Sequence, residues 1–103
     1  MAQKVIWSHE ATIDLEEIAE YIARDSSFYA ATFVRGICQA SRLLTEFAKR
    51  GRVVPELSDS DIRELLVREY RLIYRIEESR VVILAFVHGT RDLRRLWDKE
   101  KRN

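Results

Sequence analysis

The segment Tyr70–Ile76 (YRLIYRI) has the residue types and spacing most suited to chemistry, because two arginines alternate in it with apolar residues. Successive side chains of a strand point to opposite faces, so Arg71 and Arg75 share one face with Ile73. Their backbones then stand roughly 13 Å apart, and only long side chains can bring the two guanidinium groups together. The segment is interpreted either as a clamp for a phosphate or carboxylate or as an ordinary solvated face.

A second candidate is the segment Val87–Asp92 (VHGTRD), which follows an apolar run and is expected to form a loop at a strand end. The ring of His88 could accept or donate a proton near neutral pH, or it could be a hydrogen-bonded structural residue. Arg91 could pair with an acid of this chain or with an external carboxylate. The sequence leaves both choices open.

Further charged candidates lie upstream of these segments. The segment Ile62–Leu65 (IREL) is expected to be a strand with Arg63 and Glu64 on opposite faces. Arg52 is expected on a mobile loop, because a glycine and a proline close to it mark the clearest break in the chain.

The composition excludes several other classes of site. Two histidines and one cysteine, widely spaced, do not make a zinc site, so no metal is expected. No glycine-rich phosphate loop and no GxSxG motif occurs, and no cofactor is predicted. The longest apolar run, Val81–Val87, is too short to cross a membrane. The N-terminus has no apolar core of a secretory signal, which favours a reducing cytoplasm as the compartment.

The 103 residues, 47% hydrophobic and 34% charged, fit one domain spanning residues 1–103. Arginine accounts for 14 of the 18 basic residues, which favours an anionic partner because its fork suits phosphates and carboxylates. Residues 1–34 carry six acids and two bases, whereas residues 62–103 carry 11 bases and seven acids. This layout indicates either ordinary surface patterning or an acidic helical side opposite a basic side.

The elements that must position these residues begin with two helices. Ser8 is expected to cap the first helix, whose apolar residues recur at helical spacing. Asp25, Ser26 and Ser27 end it and start a second helix that continues to about residue 48. Two antiparallel helices in a hairpin are the simplest arrangement.

The second half of the chain changes to the period of strands. A short strand at Lys4–Ser8 precedes the hairpin, and strands at Ile62–Val67 and Tyr70–Ile76 follow it, joined by a two-residue turn. Val81–Val87 is apolar throughout, which is typical of a central strand buried on both faces. A last helix has an apolar side formed by Leu93, Leu96 and Trp97. The order β-α-α-β-β-β-α predicts the α+β class, with a mostly antiparallel sheet and the helical hairpin on one face.

Four blocks of the sequence resemble those of the RelE/ParE superfamily in order and spacing: GRVVPE (Gly51–Glu56), IREL (Ile62–Leu65), YRLIYR (Tyr70–Arg75) and HGTR (His88–Arg91). Members of this superfamily are the toxins of type II toxin–antitoxin systems, which include plasmid stabilisation systems. The resemblance covers almost the whole chain. It implies the same β-α-α-β-β-β layout that the patterning predicts.

The GRVVPE, IREL and HGxR blocks resemble the ParE-like members more closely than the RelE-like ones. ParE-like toxins poison DNA gyrase by binding it, so the resemblance implies growth inhibition without an acid/base pair. Guanidinium groups from separate segments would then meet as a binding surface on the uncovered side of the sheet. The implied binding residues are Arg52, Arg63, Arg71, Arg75, Arg91 and Trp97.

RelE-like members instead cut mRNA on the ribosome, so an mRNA endoribonuclease is the alternative and enzymatic activity stays open. On that interpretation Arg71 and Arg91 contact the scissile phosphate, where fixed guanidinium groups stabilise developing negative charge. Trp97 stands where that subfamily has a tyrosine, and an indole cannot transfer the proton. Glu64 and His88 would form a substitute acid/base pair, as in some relatives. An inactive binding domain of the same fold is a third alternative.

The resemblance also implies a cognate antitoxin that silences the toxin in a hetero-oligomer. Tyr21, Phe28 and Tyr29 lie off the main apolar face of the predicted hairpin, and an edge strand would have unpaired backbone groups. A flexible partner could lay a helix or strand on these surfaces and place acids over Arg71 and Arg91. An acidic C-terminal half is therefore expected in the antitoxin.

Overall fold

The computed structural model describes residues 3–102 of the chain. Its strands are β1 (Lys4–Trp7), β2 (Arg52–Val53), β3 (Ile62–Val67), β4 (Tyr70–Ile76) and β5 (Arg80–His88). Its helices are α1 (His9–Ala23), α2 (Ser27–Arg42) and α3 (Leu93–Glu100), with 3₁₀ turns at Leu43–Thr45 and Ala48–Arg50. These elements confirm the predicted α+β class.

The strands form one sheet in the order β1-β5-β4-β3-β2. β1 lies parallel to β5, and the other neighbouring strands are antiparallel, so the predicted mostly antiparallel sheet is confirmed. The predicted element order lacked β2. Arg52 and Val53 pair with Glu64 and Arg63 at the edge of the sheet, so the expected mobile loop is wrong at this point. Two residues are too few to show the alternation by which a strand is recognised.

Serine side chains start both helices of the hairpin, as the sequence predicts. The hydroxyl of Ser8 accepts a hydrogen bond from the N–H of Ala11, and that of Ser26 accepts one from the N–H of Tyr29. Each bond satisfies one of the N–H groups that a helix leaves unpaired at its start. The caps therefore fix where the chain turns from β1 into α1 and from α1 into α2.

The second helix ends at Arg42, several residues earlier than the sequence predicts. The carbonyl oxygen of Thr45 accepts from the N–H of Gln3, and that of Ala48 accepts from the hydroxyl of Tyr74. These two contacts fix the backbone after Arg42 to β4 and to the residue before β1, and the chain continues as two 3₁₀ turns. Tertiary contacts override the helical pattern of this segment.

The hairpin packs on one face of the sheet, which we call the hairpin face. Phe86 of β5 contacts rings from three elements, with Trp7, Phe33 and Tyr70 centred 5.1–6.5 Å away. Apart from Tyr74 of β4, the remaining buried side chains of this cluster are aliphatic. Further members of this core are Ala11, Leu15, Ile37, Leu44, Leu72, Tyr74, Val81 and Ile83.

The opposite face of the sheet, which we call the α3 face, has a core of its own. A bulge in β5 leaves Leu84 unpaired, because Ala85 pairs with Ile73 while Ile83 pairs with Tyr74. The extra residue reverses the alternation of β5 and turns both Leu84 and Ala85 toward α3. Other buried members of this core are Val54, Ile62, Ile73, Val87, Leu93, Leu96 and Trp97.

The two-residue turn between β3 and β4 occurs as predicted, with Arg68 in the left-handed region at φ 57°. Such a conformation is costly for a residue other than glycine. The Arg68 guanidinium carbon lies 5.7 Å from the ring centre of Phe33, and this cation–π contact with α2 helps to offset the strain. Within residues 3–102, no helix combines the length and the apolarity needed to cross a membrane.

Candidate functional site

Arg71 is the central side chain of the candidate site, and only 6% of it is exposed. It lies on the α3 face beside Ile73, where its Nε donates to a carboxylate oxygen of Glu64 at 2.5 Å. Its terminal nitrogens donate to both carboxylate oxygens of Glu56, at 2.7 and 2.8 Å. A further bond of 2.9 Å reaches the carbonyl oxygen of Arg91. Arg71 therefore makes four hydrogen bonds from a group that has five N–H donors.

Glu56 reaches Arg71 because the chain after β2 is anchored in the core and then turns. Val54 is fully buried, and the N–H of Leu57 donates back to its carbonyl oxygen. Glu56 also accepts a hydrogen bond of 3.0 Å from the N–H of Leu93, the first residue of α3. A carboxylate is favoured at this position because the helix start has unpaired N–H groups and a positive partial charge.

The two partners shift each other's proton affinity in opposite directions. Hydrogen bonds from Arg71 lower the pKa of Glu56 from 4.5 to about 2, and the bond from Leu93 acts in the same direction. Hydrogen bonds to Glu56 and Glu64 raise the pKa of Arg71 further above its usual range, against the effect of burial. Both side chains are therefore held in their charged forms.

Glu64 is the second acid, and its side chain is fully buried on β3. Its other oxygen accepts a hydrogen bond of 2.5 Å from Nε of Arg52, which lies opposite on β2 and is 63% exposed. A buried carboxylate is tolerated only when its oxygens are paired, and here each oxygen has its own cation. We call Arg52, Glu56, Glu64 and Arg71 the charge network; its two cations balance its two anions.

The anion clamp expected of Arg71 and Arg75 is not formed. The two side chains share the α3 face as predicted, but Arg75 lies 3.4 Å from a carboxylate oxygen of Asp59 and Arg71 belongs to the charge network. Arg71 cannot offer the same fork to an external phosphate unless these internal bonds break. The expectation of an uncovered side of the sheet is also wrong, because α3 and Val54 cover that face.

The other predicted binding residues do not form one surface. Arg63 lies on the opposite face and donates to the carbonyl oxygen of Gly51 at 3.0 Å. Trp97 is 7% exposed and packs in the core of the α3 face, so a partner cannot reach it while α3 stays in place. The side chain of Arg91 is exposed and makes no hydrogen bond or ion pair with residues 3–102.

His88 lies at the end of β5 on the hairpin face, with its ring edge-on to Tyr70 at 5.7 Å between centres. Cross-strand partners share a face, and Tyr70 pairs with His88 whereas Glu64 pairs with Ile73 on the α3 face. The acid/base pair expected of Glu64 and His88 is therefore wrong, because the sheet separates them. Nδ1 of His88 instead lies 2.9 Å from the hydroxyl of Thr90, which agrees with its structural interpretation.

Glu56 is the residue of this site that the sequence analysis missed, although it ends the GRVVPE block. Two signals were available. An arginine within an apolar strand needs a carboxylate if its face is covered, and the apolar side of the last helix needs a face to cover. Together they indicate that Arg71 is buried under α3 and that a nearby acid pairs with it.

The outer surface of the hairpin carries exposed aromatic residues, as predicted. Tyr21, Phe28 and Tyr29 are 69%, 75% and 68% exposed. An apolar groove of about 500 Å³ lies between α1 and α2. Its lining includes Ala19, Ala23, Ala30, Ala31 and Val34.

Two solved structures share this fold of a helical hairpin on a mostly antiparallel sheet. One is the chromosomal ParDE toxin–antitoxin system from P. aeruginosa, with a TM-score of 0.71 and 20% identity over 84% of this chain and 96% of that chain. The other is the toxin–antitoxin complex RelBE2 from Mycobacterium tuberculosis, with a TM-score of 0.60 and 23% identity over 85% and 99% of the two chains. At these identities they show the fold.

The sequence comparisons show the family. The family model described as the ParE toxin of the type II toxin–antitoxin system parDE matches residues 5–93. Toxin RelE2 of Caulobacter vibrioides is 33% identical over 92 residues, which are 88% of this chain and 99% of that relative. This chain therefore belongs to the RelE/ParE superfamily of type II toxin–antitoxin toxins, as its sequence blocks suggested.

Proposed function

We propose that this toxin is ParE-like: it inhibits growth by binding DNA gyrase in the cytoplasm, and a cognate antitoxin neutralises it. The observation that carries this proposal is that Arg71 is buried and uses four of its five N–H donors inside the protein. An RNA-cleaving site needs guanidinium groups that are free to meet the scissile phosphate. Here the central arginine has a bidentate carboxylate partner and is 6% exposed.

The separation of Glu64 and His88 also favours a ParE-like toxin over an RNA-cleaving one. Cleavage of RNA by its own 2′-hydroxyl requires a base and an acid within reach of one phosphate. Glu64 is buried in an ion pair on the α3 face, whereas His88 is exposed at the end of β5 on the hairpin face. A toxin that acts by binding does not need this pair.

The exposed surface around Arg91 supplies what a binding toxin needs. Arg91, Arg95 and Lys99 lie four residues apart and border a cleft of about 920 Å³ beside α3. None of the three side chains has a hydrogen bond or ion pair within the described part of the chain. Three acids also line the cleft, but Asp92 pairs with Arg94 and Glu100 with Arg102. The remaining cations outnumber Asp98 and favour an anionic partner, and gyrase in complex with DNA is one.

A cognate antitoxin is the second partner in this proposal. Both structural relatives come from toxin–antitoxin systems. The exposed rings of Tyr21, Phe28 and Tyr29 and the apolar groove beside them offer an antitoxin helix an apolar surface. Acids of the antitoxin would be placed over Arg91; Arg71 needs none because it is already neutralised.

A RelE-like endoribonuclease is the second candidate, because the relative that is 33% identical is named Toxin RelE2. Two assays separate the candidates. Purified toxin should inhibit DNA supercoiling by gyrase and trap cleaved DNA, and it should leave mRNA on translating ribosomes uncut. Ribosome-dependent cleavage without gyrase inhibition would replace the proposal by the RelE-like function, and harmless expression without either activity would favour an inactive domain.

A charge variant and a matched control make the gyrase assay specific. Arg91→Ala should weaken inhibition, because it removes an exposed cation of the proposed binding surface. Arg42→Ala removes an exposed arginine from the end of α2 and should inhibit like the wild type. Equal loss in both variants would indicate a general effect of charge rather than a surface at Arg91.

A further inference from the structure

The charge network forms hydrogen bonds with the backbone at both ends of the segment Arg91–Leu93, which leads into α3. Arg71 donates to the carbonyl oxygen of Arg91 at 2.9 Å, and Glu56 accepts from the N–H of Leu93 at 3.0 Å. The same two side chains are joined to each other by two hydrogen bonds. A single buried ion pair thus holds both ends of a three-residue segment whose first side chain is exposed.

We propose that Glu56 and Arg71 are positioning residues: they hold the segment Arg91–Leu93 so that the outward cations Arg91, Arg95 and Lys99 form the surface that binds the target. This inference rests on the proposed function and assigns the arginine of the YR block a role without contact to the target. The surface takes an anionic partner, and duplex DNA held by gyrase is the partner to which the proposal commits.

The geometry explains why this segment needs support from elsewhere in the chain. Asp92 caps α3 by accepting from the N–H of Arg94, which leaves the N–H of Leu93 for another acceptor. Glu56 is that acceptor, and its charge also suits the positive end of the helix. The segment leaves the sheet directly after β5, so the network ties the start of α3 to β2, β3 and β4.

Helical spacing relates Arg95 to Lys99 within α3, and Arg91 stands just before the cap residue Asp92. Residues four apart stand about 6 Å apart along a helix axis and lie on nearly the same side. Arg95 and Lys99 are exposed, whereas Leu96 and Trp97 are buried on the side that faces the sheet. If the first turn of α3 shifts, Arg95 and Lys99 move relative to the sheet, and the match of the cations to phosphates of one DNA strand is lost.

The positioning role and a direct contact role for Arg71 predict opposite effects of one variant. If Arg71 met the target itself, Glu56 would compete for it, and Glu56→Gln would free the guanidinium and strengthen inhibition. If Arg71 positions Arg91, Glu56→Gln weakens the ion pair and the hold on Leu93, and inhibition falls. We expect the half-inhibitory concentration in gyrase supercoiling to rise roughly tenfold for Glu56→Gln and for Arg71→Lys.

A double variant distinguishes positioning from a general loss of structure. In the Arg91→Ala background, Glu56→Gln should cause a smaller further loss of inhibition, because one of the three cations it positions is already absent. A purely structural role would add the same factor in both backgrounds and would overturn the inference. Inhibition that is unchanged or stronger in Glu56→Gln would overturn it as well. Circular dichroism verifies folding, and Glu56→Asp replaces Glu56→Gln if the latter does not fold.

Two further measurements do not depend on gyrase. Backbone hydrogen exchange should rise at residues 91–95 in Glu56→Gln and stay unchanged in α1; an unchanged rate at residues 91–95 overturns the positioning role. Binding of labelled duplex DNA should weaken in Arg95→Ala and with added salt, but not in Arg42→Ala; no binding by the wild type overturns the DNA surface. If exchange responds while the wild type does not inhibit gyrase, the proposed function fails and the positioning role stands.

Discussion

The two faces of the sheet are built on the same strands but are stabilised in different ways. The hairpin face is covered by two helices and contains aromatic and aliphatic side chains in mutual contact, with Phe86 at the centre. The α3 face is covered by one short helix and contains an apolar core with the charge network beside it. Among the charged residues of the described range 3–102, Glu64 and Arg71 are the most deeply buried, and both belong to this face.

This difference changes what a single substitution removes. On the hairpin face, truncating an apolar side chain loses its burial and leaves a cavity, and no other residue becomes unfavourable. On the α3 face, removing one charge leaves its partner buried without compensation, so the loss exceeds the value of the bond itself. The stability of the α3 face therefore depends on paired charges. When one charge of a pair has been removed, neutralising its partner as well should recover part of the lost free energy of unfolding.

The largest effect is expected for Arg71→Met, which keeps much of the side-chain length but removes the charge. It leaves Glu64 with Arg52 alone and Glu56 without its bidentate partner, so the free energy of unfolding should fall by about 4 kcal/mol. Urea unfolding at neutral pH measures this loss. Adding Glu64→Gln should restore part of it, because the buried carboxylate is then neutral. If the two losses simply add, pairing does not explain the stability of the α3 face.

The second largest effect is expected for Glu56, whose contribution to the free energy of unfolding depends on pH. Its folded-state pKa of about 2 lies below its ordinary value of 4.5. The ionised carboxylate therefore contributes stability above pH 4.5, and this contribution is lost as the pH falls toward 2. The difference of about 2.5 units corresponds to about 3 kcal/mol.

The Glu56→Gln variant lacks that contribution at every pH, because its amide does not ionise. The free energies of unfolding of wild type and variant should therefore converge as the pH is lowered from 4.5 toward 2, as urea titrations at several pH values would measure. The other carboxylates contribute equally to both proteins and cancel in the difference. A gap that stays constant over this range would contradict the strong pairing of Glu56 with Arg71.

A smaller effect is expected for Tyr74 on the hairpin face, where its side chain is fully buried but carries a hydroxyl group. Its hydroxyl donates to the carbonyl oxygen of Ala48 and accepts from the N–H of Gly51, and burial raises its pKa. Tyr74→Phe leaves both backbone groups without this partner, so it should cost about 2 kcal/mol. Thermal unfolding compared with Phe86→Leu, a purely apolar change on the same face, would show whether the hydroxyl matters more than packing.

The same contrast explains which parts of the structure could be predicted from the sequence. Helix starts depend on local chemistry, so Ser8 was recognised as a cap and the cluster of Asp25, Ser26 and Ser27 as the start of the second helix. The bounds of β4 followed from strict alternation, which is also a local property. The α+β class followed from the order of these elements, and the sheet topology agrees with it.

The site could be predicted only in part, because alternation shows which face a side chain takes and not what covers that face. Arg71 was placed on the correct face, but its partner Glu56 is 15 residues away and reaches it through a turn. The bulge at Leu84 depends on pairing between strands and has no local signal. The separation of Glu64 from His88 follows from registers that only the assembled sheet defines.

The smallest effect is expected for His88→Ala, which tests the boundary between the two functional candidates. His88 is exposed, and its contacts are the Tyr70 ring and the neighbouring Thr90. Exposed substitutions away from buried partners change stability by no more than about 0.5 kcal/mol. Thermal unfolding should therefore be nearly unchanged.

Growth inhibition should also survive in His88→Ala if the toxin acts by binding, since no step then needs a proton from this ring. The measurement is the number of surviving cells after induced expression, with Arg91→Ala as the variant expected to lose toxicity and Arg42→Ala as the control expected to keep it. Loss of toxicity in His88→Ala with unchanged folding would show that the imidazole takes part in chemistry. The RelE-like candidate would then gain, and the hairpin face rather than the α3 face would hold the active site.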